Sequence, residues 1–496
     1  MIQLLESHTS KNLAIEVKRC LDKFGITLKQ VKSITTDNAA NVVGIVDHLD
    51  EEVLCAIGED TEEGNSTHQP IELVPAENIN NPVSDDEIRD LARQMMEDEA
   101  LALYLDDTGA YEDLLKKVIE DLPHHFNGKT ANVRCGAHTI HLTVRGALKK
   151  SNFRELVAVC RGVIKSLRKE AYIRESRHQN LQYSLPHLNV VTRWDSDYTM
   201  LNDLLQCKGM VDHFAKTQRE FKIIQTKWAV IEEVVSVLKM FFLTTKKLQD
   251  VNFTLSDFYG HLIALKENLT NYLHSNQQLS DLATHLQTEL NNRLPMLKKN
   301  PLMICAVFLD RRYSSELSRD EKALAVRTLV KMWEEIRMEH FANGNGDTEN
   351  NNDDLSFRFD DHASVIEAYF NSKGVHLQEP EKTDRENPDY TTSNAAMYEI
   401  LNEFDSQIGR IPASQSVLEF WHKKKTEYPE VYLLSTTINA VPPTQSTTER
   451  AFSTLSFVYD DKRTKLSMVL LEQILIIRLN KDLTLDIFEE NLMAIT

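Results

Sequence analysis

The chain has 496 residues, 42% of them apolar, which is enough for more than one domain with a substantial core. Its net charge of −19 argues against a general nucleic-acid-binding protein, but the acidic excess is local: residues 47–121 hold 23 acids and four bases, and the remaining 52 bases and 52 acids balance. Six sparse cysteines, no apolar run of ~20 residues and no secretory signal predict a soluble intracellular protein with reduced thiols.

The first 46 residues have the pattern of an α/β unit. Apolar residues at helical spacing predict a helix over 10–24, which Gly25 ends. The β-branched stretch 31–36 then predicts a short strand. Asp37 follows directly, at the carboxyl end of that strand, where α/β sheets usually carry functional groups.

An acidic insert over 47–122 interrupts this unit. The polar composition of residues 59–81 predicts disorder, whereas residues 85–122 have the apolar spacing of one or two acidic amphipathic helices. Residues 133–135 are predicted to form a further strand, with a helix opening near His138.

From residue 151 to residue 436 the pattern predicts an all-helical domain. Apolar stripes at helical spacing recur along this block. Residues 343–393, rich in Asn, Asp, Gly and Glu, are predicted to be a mobile loop around one short helix at 363–370.

The last segment, 437–496, holds two predicted helices. After Pro442-Pro443, the sequence Ser446-x-x-Glu449 is a capping pattern that predicts a helix start. The helix predicted over 468–479 is apolar nearly all round, so it needs burial on more than one side. A core together with a partner surface would satisfy it, which predicts self-association.

Six motifs in order along the chain resemble those of the hAT superfamily of transposases. They are Thr35-Thr36-Asp37-Asn38, Cys135-Gly136-Ala137-His138, Arg193-Trp194, Leu309-Asp310-Arg311, Phe420-Trp421 and Ser446-Thr-Thr-Glu449-Arg450-Ala-Phe452-Ser453. The resemblance implies an α/β plus large all-α fold: a ribonuclease-H-like domain interrupted by a mostly helical insertion domain. Its parts would be 1–46, the insert 47–122, 123–150, the insertion domain 151–436, and 437–496, which completes the first domain and dimerises.

In that family three carboxylates hold two Mg²⁺ ions that activate the attacking oxygen and stabilise the leaving one. The resemblance assigns two of them, Asp37 and Glu449, but residues 1–36 offer no match to the first, which the family carries on an earlier strand. The ribonuclease-H-like domain is therefore predicted to be incomplete and the chain non-catalytic, with Mg²⁺ needed only if a longer form is active. Two structural alternatives stay open: Asp37 caps a turn, and Glu449 completes a capping box.

Other matched residues have two interpretations each. Cys135 and His138 could ligate zinc, but a structural zinc site needs four ligands, so a half-buried thiol and a hydrogen-bonded histidine are favoured. Arg193 and Trp194 contact DNA in the family, whereas their helical context here also suits Trp194 as a core anchor. Asp310-Arg311 is interpreted as an internal charge pair that opens a helix.

The function predicted is that of a transposase-derived, non-catalytic protein; the alternative is a fragment of an active cut-and-paste transposase using Mg²⁺. The predicted partner is a second copy, with a weaker DNA contact and neither a membrane nor a small-molecule substrate. The resemblance implies a nuclear location, the cytoplasm being the alternative, and no match to the family's BED-type zinc finger is found. The predicted dimerisation residues are Phe452, Leu466, Leu470, Ile474 and Ile477.

Overall fold

A computed structural model describes residues 9–36, 45–49, 131–151, 153–178, 185–190, 194–275, 281–342, 387–458 and 468–479. The described part is mostly helical, with one two-stranded sheet. Nearly all of the acidic insert and most of the predicted loop 343–393 lie outside these residues. None of the described helices is long and apolar enough to cross a membrane.

The N-terminal unit follows the predicted pattern. Helix α1 spans Ser10–Lys23, and Gly25 adopts a φ of 68°, a left-handed conformation that favours glycine and ends the helix. Strand β1 (Ser33–Thr36) pairs in parallel with β2 (Ala131–Arg134), with Thr36 opposite Arg134. The predicted helix and both predicted strands are therefore present within a few residues of their expected bounds.

The helical block surrounds one large core and follows β2 directly. Its first helices are α2 Gly136–Lys150, α3 Phe153–Leu167, α4 Glu170–His178, α5 Trp194–Gln206, α6 Lys208–Ala215, α7 Arg219–Gln225 and α8 Trp228–Lys247. The next are α9 Leu255–Ser275, α10 Asp281–Leu297, α11 Pro301–Leu309, α12 Arg319–Ala342, α13 Asn394–Gln407, α14 Val417–Lys423 and α15 Pro429–Asn439. The chain closes with α16 Ser446–Val458 and α17 Met468–Leu479, which pack against each other.

Helix α11 lies at the centre of the block. Pro301 begins it, Asn300 accepts the hydrogen bond from the Leu302 amide at 2.9 Å, and Leu302–Leu309 are all buried. The side-chain amide of Asn300 also donates to the Asn132 carbonyl at 2.8 Å, so the same residue links β2 to the helical block by a hydrogen bond. By contrast, α1 buries only Ala14, in a separate small cluster with Leu28, Ile45 and Leu49.

The predicted role of Asp310-Arg311 as a charge pair that opens a helix is wrong. Asp310 follows the end of α11, and its partner is Arg312, whose Nη2 lies 2.6 Å from Asp310 Oδ2 and 2.6 Å from Asp257 Oδ1. Arg311 pairs instead with Asp405 at 2.8 Å. The side chains of Asp310 and Arg312 are fully buried, so this ion pair is part of the core of the helical block.

Candidate functional site

The carboxyl ends of β1 and β2 meet the segment that leads into α16. The Thr35 hydroxyl donates to the Pro442 carbonyl at 2.6 Å, and the Gln445 side chain donates to the Thr35 carbonyl at 3.2 Å. The Gly136 amide, at the start of α2, donates to the Pro443 carbonyl at 2.7 Å. The segment 442–446 is thus hydrogen-bonded to both strand ends; we call this region the strand-end site.

The first turn of α16 is fixed at the strand-end site by Thr444. Its hydroxyl accepts from the Ser446 amide at 3.2 Å and donates to the Leu248 carbonyl at 3.1 Å. Arg450 reaches the same neighbourhood and donates to the Gln249 carbonyl at 2.7 Å. Helix α16 begins at Ser446, as the capping pattern predicted, and Thr444 supplies a hydroxyl that the capping pattern had not identified.

The two predicted catalytic positions belong to this site by chain position. Asp37 directly follows Thr36, the last residue of β1, but lies outside the described residues. Glu449 lies in the first turn of α16, and its side chain is not among those described. The backbone therefore brings the end of β1 and the start of α16 together, and both catalytic assignments stay predictions.

The side chains of the two predicted metal-binding carboxylates, Asp37 and Glu449, are not among those described, so the Mg²⁺ assignment stays a prediction. Mg²⁺ prefers several carboxylate oxygens, and the family chemistry requires three carboxylates. Among the described residues, no group of three or more His, Cys, Asp or Glu side chains lies close enough to hold a metal ion.

Cys135 and His138 lie at the junction of β2 and α2. Cys135 precedes α2 and is 3% exposed, while its amide donates to the Thr36 carbonyl at 2.8 Å. His138 is half-buried, and its ring stacks on that of His141 with centroids 5.8 Å apart. The structural interpretation expects a half-buried thiol and a hydrogen-bonded histidine, whereas the Cys135 thiol is buried. The zinc assignment stays a prediction.

Trp194 begins α5 and lies inside the helical core with 2% of its surface exposed. Of its two interpretations, this burial favours the core anchor, because a ring enclosed on all sides presents no face to a DNA base. Arg193, the other predicted DNA-contacting residue, lies outside the described residues.

A polar network that the sequence did not reveal holds the first turn of α5. Ser196 accepts from the Val190 amide at 2.8 Å, and the Asn189 side chain donates to Asp197 Oδ1 at 2.5 Å. Arg161 donates to the Asn189 carbonyl at 2.8 Å. Burial raises the pKa of Asp197 to about 6, although the hydrogen bond from Asn189 acts to lower it.

The C-terminal helices expose apolar side chains. Phe452 is 61% exposed, Leu470 47%, Ile476 46%, Ile477 52% and Leu479 44%; together they form what we call the C-terminal apolar surface. Of the predicted dimerisation residues, Phe452, Leu470 and Ile477 belong to this surface. Ile474 is half-buried, and Leu466 lies outside the described residues.

The sequence predicts that α17 is buried both in the core of its own chain and against a partner. The structure shows which of its residues face inward and which are exposed. Leu471 is 2% exposed and packs inward, whereas Ile477, near the end of the same helix, is half exposed. Such a concentration of exposed aliphatic side chains on one short helix is typical of a protein-interaction site.

Two family models match the chain over separate parts. Residues 400–480 match the hAT family C-terminal dimerisation region, and residues 133–237 match the ZBED1 RNase-like helical domain. The first match contains all five predicted dimerisation residues, four of which lie in described elements. The second runs from Val133 in β2 to the middle of α8.

Two relatives are similar to longer stretches. The human zinc finger BED domain-containing protein 4 is 23% identical over 203 residues, which cover 40% of this chain and 17% of the human protein. The maize protein named Putative AC transposase is 22% identical over 422 residues, which cover 77% of this chain and 48% of the maize protein. The chain therefore spans less than half the length of either relative.

Proposed function

Because the chain belongs to the hAT transposase-derived lineage, we propose that it works as a homodimer joined by its C-terminal region and does not cut DNA by itself. The C-terminal apolar surface is the observation that carries this proposal. Leu470 and Ile477 are 47% and 52% exposed within a region that matches a dimerisation model. Burying exposed aliphatic side chains of this kind against a second copy removes them from water and so stabilises the dimer.

Sedimentation velocity over a concentration series tests the self-association. Ile477→Asp should weaken the dimer at least about tenfold, because a carboxylate would have to be buried in an apolar contact. Val251→Asp is the matched control, since Val251 is 77% exposed between α8 and α9 and belongs to neither matched C-terminal helix. Ile474→Asp is less informative, because Ile474 is half-buried within its own chain. A wild-type chain that stays monomeric at micromolar concentration would contradict the proposal.

The proposal that the chain does not cleave DNA by itself is supported by the number of carboxylates that match the family motifs. Asp37 and Glu449 are two, and a two-metal centre requires a ligand that bridges both ions. The expected result is that the 496-residue chain does not nick supercoiled plasmid with Mg²⁺ or Mn²⁺. The comparison is a double variant, Asp37→Asn with Glu449→Gln. The proposal would be overturned if the wild type cleaved the plasmid and this double variant did not.

The alternative function is that these residues are part of an active cut-and-paste transposase. The similarity to a maize protein named as a transposase, over 77% of this chain, favours it. In that case the strand-end site would hold Asp37 and Glu449 around Mg²⁺, and Arg193 would contact DNA. The same plasmid assay distinguishes the two functions.

We further propose that the sheet and the helical block form a ribonuclease-H-like domain with a helical insertion. The parallel pairing of β1 with β2 and the return of α16 to the strand ends support this architecture. The names of the relatives also support a nuclear location. A fluorescent fusion found outside the nucleus would contradict the latter.

A further inference from the structure

Helix α17 exposes apolar residues on two different sides. Glu472, Ile476 and Leu479 are spaced i, i+4 and i+7, so they share one face of the helix. Leu470 and Ile477 lie roughly 150° away around the axis at 3.6 residues per turn. Because one flat contact covers only one face of a helix, a partner that covers both sides must also contact elements beside α17.

The face that carries Glu472 is next to the end of α1. Lys23 Nζ lies 2.7 Å from Glu472 Oε1, and the hydrogen bond from Lys23 lowers the pKa of the Glu472 carboxyl. Lys23 is the last residue of α1, and two exposed apolar residues follow it: Phe24, 58% exposed, and Ile26, 38% exposed. We call these two residues the α1 corner.

The α1 corner has a defined backbone conformation. The Phe24 and Ile26 amides both donate to the Leu21 carbonyl, at 3.0 and 2.9 Å, and the Gly25 amide donates to the Asp22 carbonyl at 3.0 Å. Three hydrogen bonds and the left-handed Gly25 therefore fix the conformation of the corner, and the Lys23–Glu472 ion pair places it beside α17. A preorganised apolar surface loses less conformational entropy on binding than a flexible one.

We propose that the α1 corner is part of the homodimer interface, where it continues the C-terminal apolar surface across the Lys23–Glu472 ion pair. This inference rests on the proposed self-association and extends it beyond the region 400–480. Size supports it: a stable interface buries about 800 Å² per partner. A helix of the length of α17 is about 18 Å long and about 10 Å wide, so its footprint of roughly 200 Å² needs neighbouring surface.

The occupant of this surface is a second copy of the chain. The ion pair makes the α1 corner continuous with the matched dimerisation region, and a twofold symmetric dimer buries the same patch on both subunits. Phe24 is the larger of its two side chains, and a buried aromatic side chain removes about 150–250 Å² from water.

Sedimentation velocity on Phe24→Asp tests this inference, with Val251→Asp and Ile477→Asp as controls. Phe24→Asp should raise the dimer Kd about tenfold or more, while Val251→Asp should change it by less than about twofold. Phe24→Ala guards against loss of folding in α1, which circular dichroism would reveal; it should also raise the Kd, by about fivefold.

The controls separate this inference from the proposed function. If Ile477→Asp weakens the dimer while Phe24→Asp and Phe24→Ala behave like Val251→Asp, the α1 corner lies outside the interface and the proposed function stands. If the wild type does not self-associate, both fall.

Discussion

Helices α11 and α17 have similarly apolar sequences but opposite exposure. All residues from Leu302 to Leu309 in α11 are buried, because α9, α12 and α15 pack around it. In α17, Leu471 is buried while Leu470, Ile476, Ile477 and Leu479 are 44–52% exposed. Of the described helices, α16 packs against α17 most extensively.

The difference shows that an apolar sequence predicts burial without identifying what covers it. Helix α11 is covered by its own chain, so its residues contribute to folding. Among the described residues, α16 packs against α17, and we attribute the exposed apolar residues of α17 to association. Mutations in the two helices should therefore change different measured quantities.

The largest expected effect is on the ion pair that follows α11. Arg312→Ala should lower the free energy of unfolding by about 3–5 kcal/mol, because it leaves Asp310 and Asp257 buried without their shared guanidinium. Arg174→Ala is the matched control: its pair with Glu170 is 72% and 75% exposed, and its loss should cost less than about 1 kcal/mol. Urea unfolding of the two variants measures both values, and equal losses would contradict the buried arrangement.

The same substitution in the two helices gives the next effect. Ile304→Ala in α11, where Ile304 is 3% exposed, should cost about 2–5 kcal/mol of folding stability. Ile477→Ala, at a residue 52% exposed, should change monomer stability by less than about 0.5 kcal/mol and should weaken the dimer instead. Urea unfolding at a concentration below the dimer Kd separates the two quantities. A large loss of monomer stability for Ile477→Ala would place α17 in the folding core.

Asp197 extends the comparison to a buried carboxyl group in the helical block. The described contacts give it no direct ion pair, unlike Asp310. Its pKa of about 6 exceeds the ordinary 3.8, so the folded state holds more protons and stability falls as pH rises from about 4 to 6. Asp197→Asn should remove that dependence and raise stability at pH 7 by up to about 3 kcal/mol. Unfolding free energies of both proteins from pH 4 to 7 test it, and parallel pH profiles would refute the assignment.

Local patterns in the sequence predicted the elements of the fold well. The end of α1 at Gly25, the strand before Asp37, the helix start at Ser446 and the bounds 468–479 all depend on residues close together in the chain, as turn, capping and periodicity signals do. The mostly helical character of the described residues between 151 and 436 is confirmed for the same reason.

Contacts between distant residues were not predictable in this way. Asp257 is 55 residues from Arg312, and no local pattern indicates their ion pair. The sequence therefore pairs Asp310 with Arg311, whereas the structure pairs it with Arg312. The hydrogen bonds from Thr35 and Gln445 across the strand-end site span more than 400 residues. The resemblance, rather than any periodicity, linked the two ends of the chain there.

Hydrogen exchange at a series of protein concentrations tests the central claim most directly, because it compares the two regions in one sample. If α17 is covered by a second copy, the amides of Met468–Leu479 should exchange more slowly as concentration rises, while those of α11 should stay unchanged. Exchange in α17 that is independent of concentration, in a chain that keeps its monomer mass of 57.0 kDa, would contradict the account.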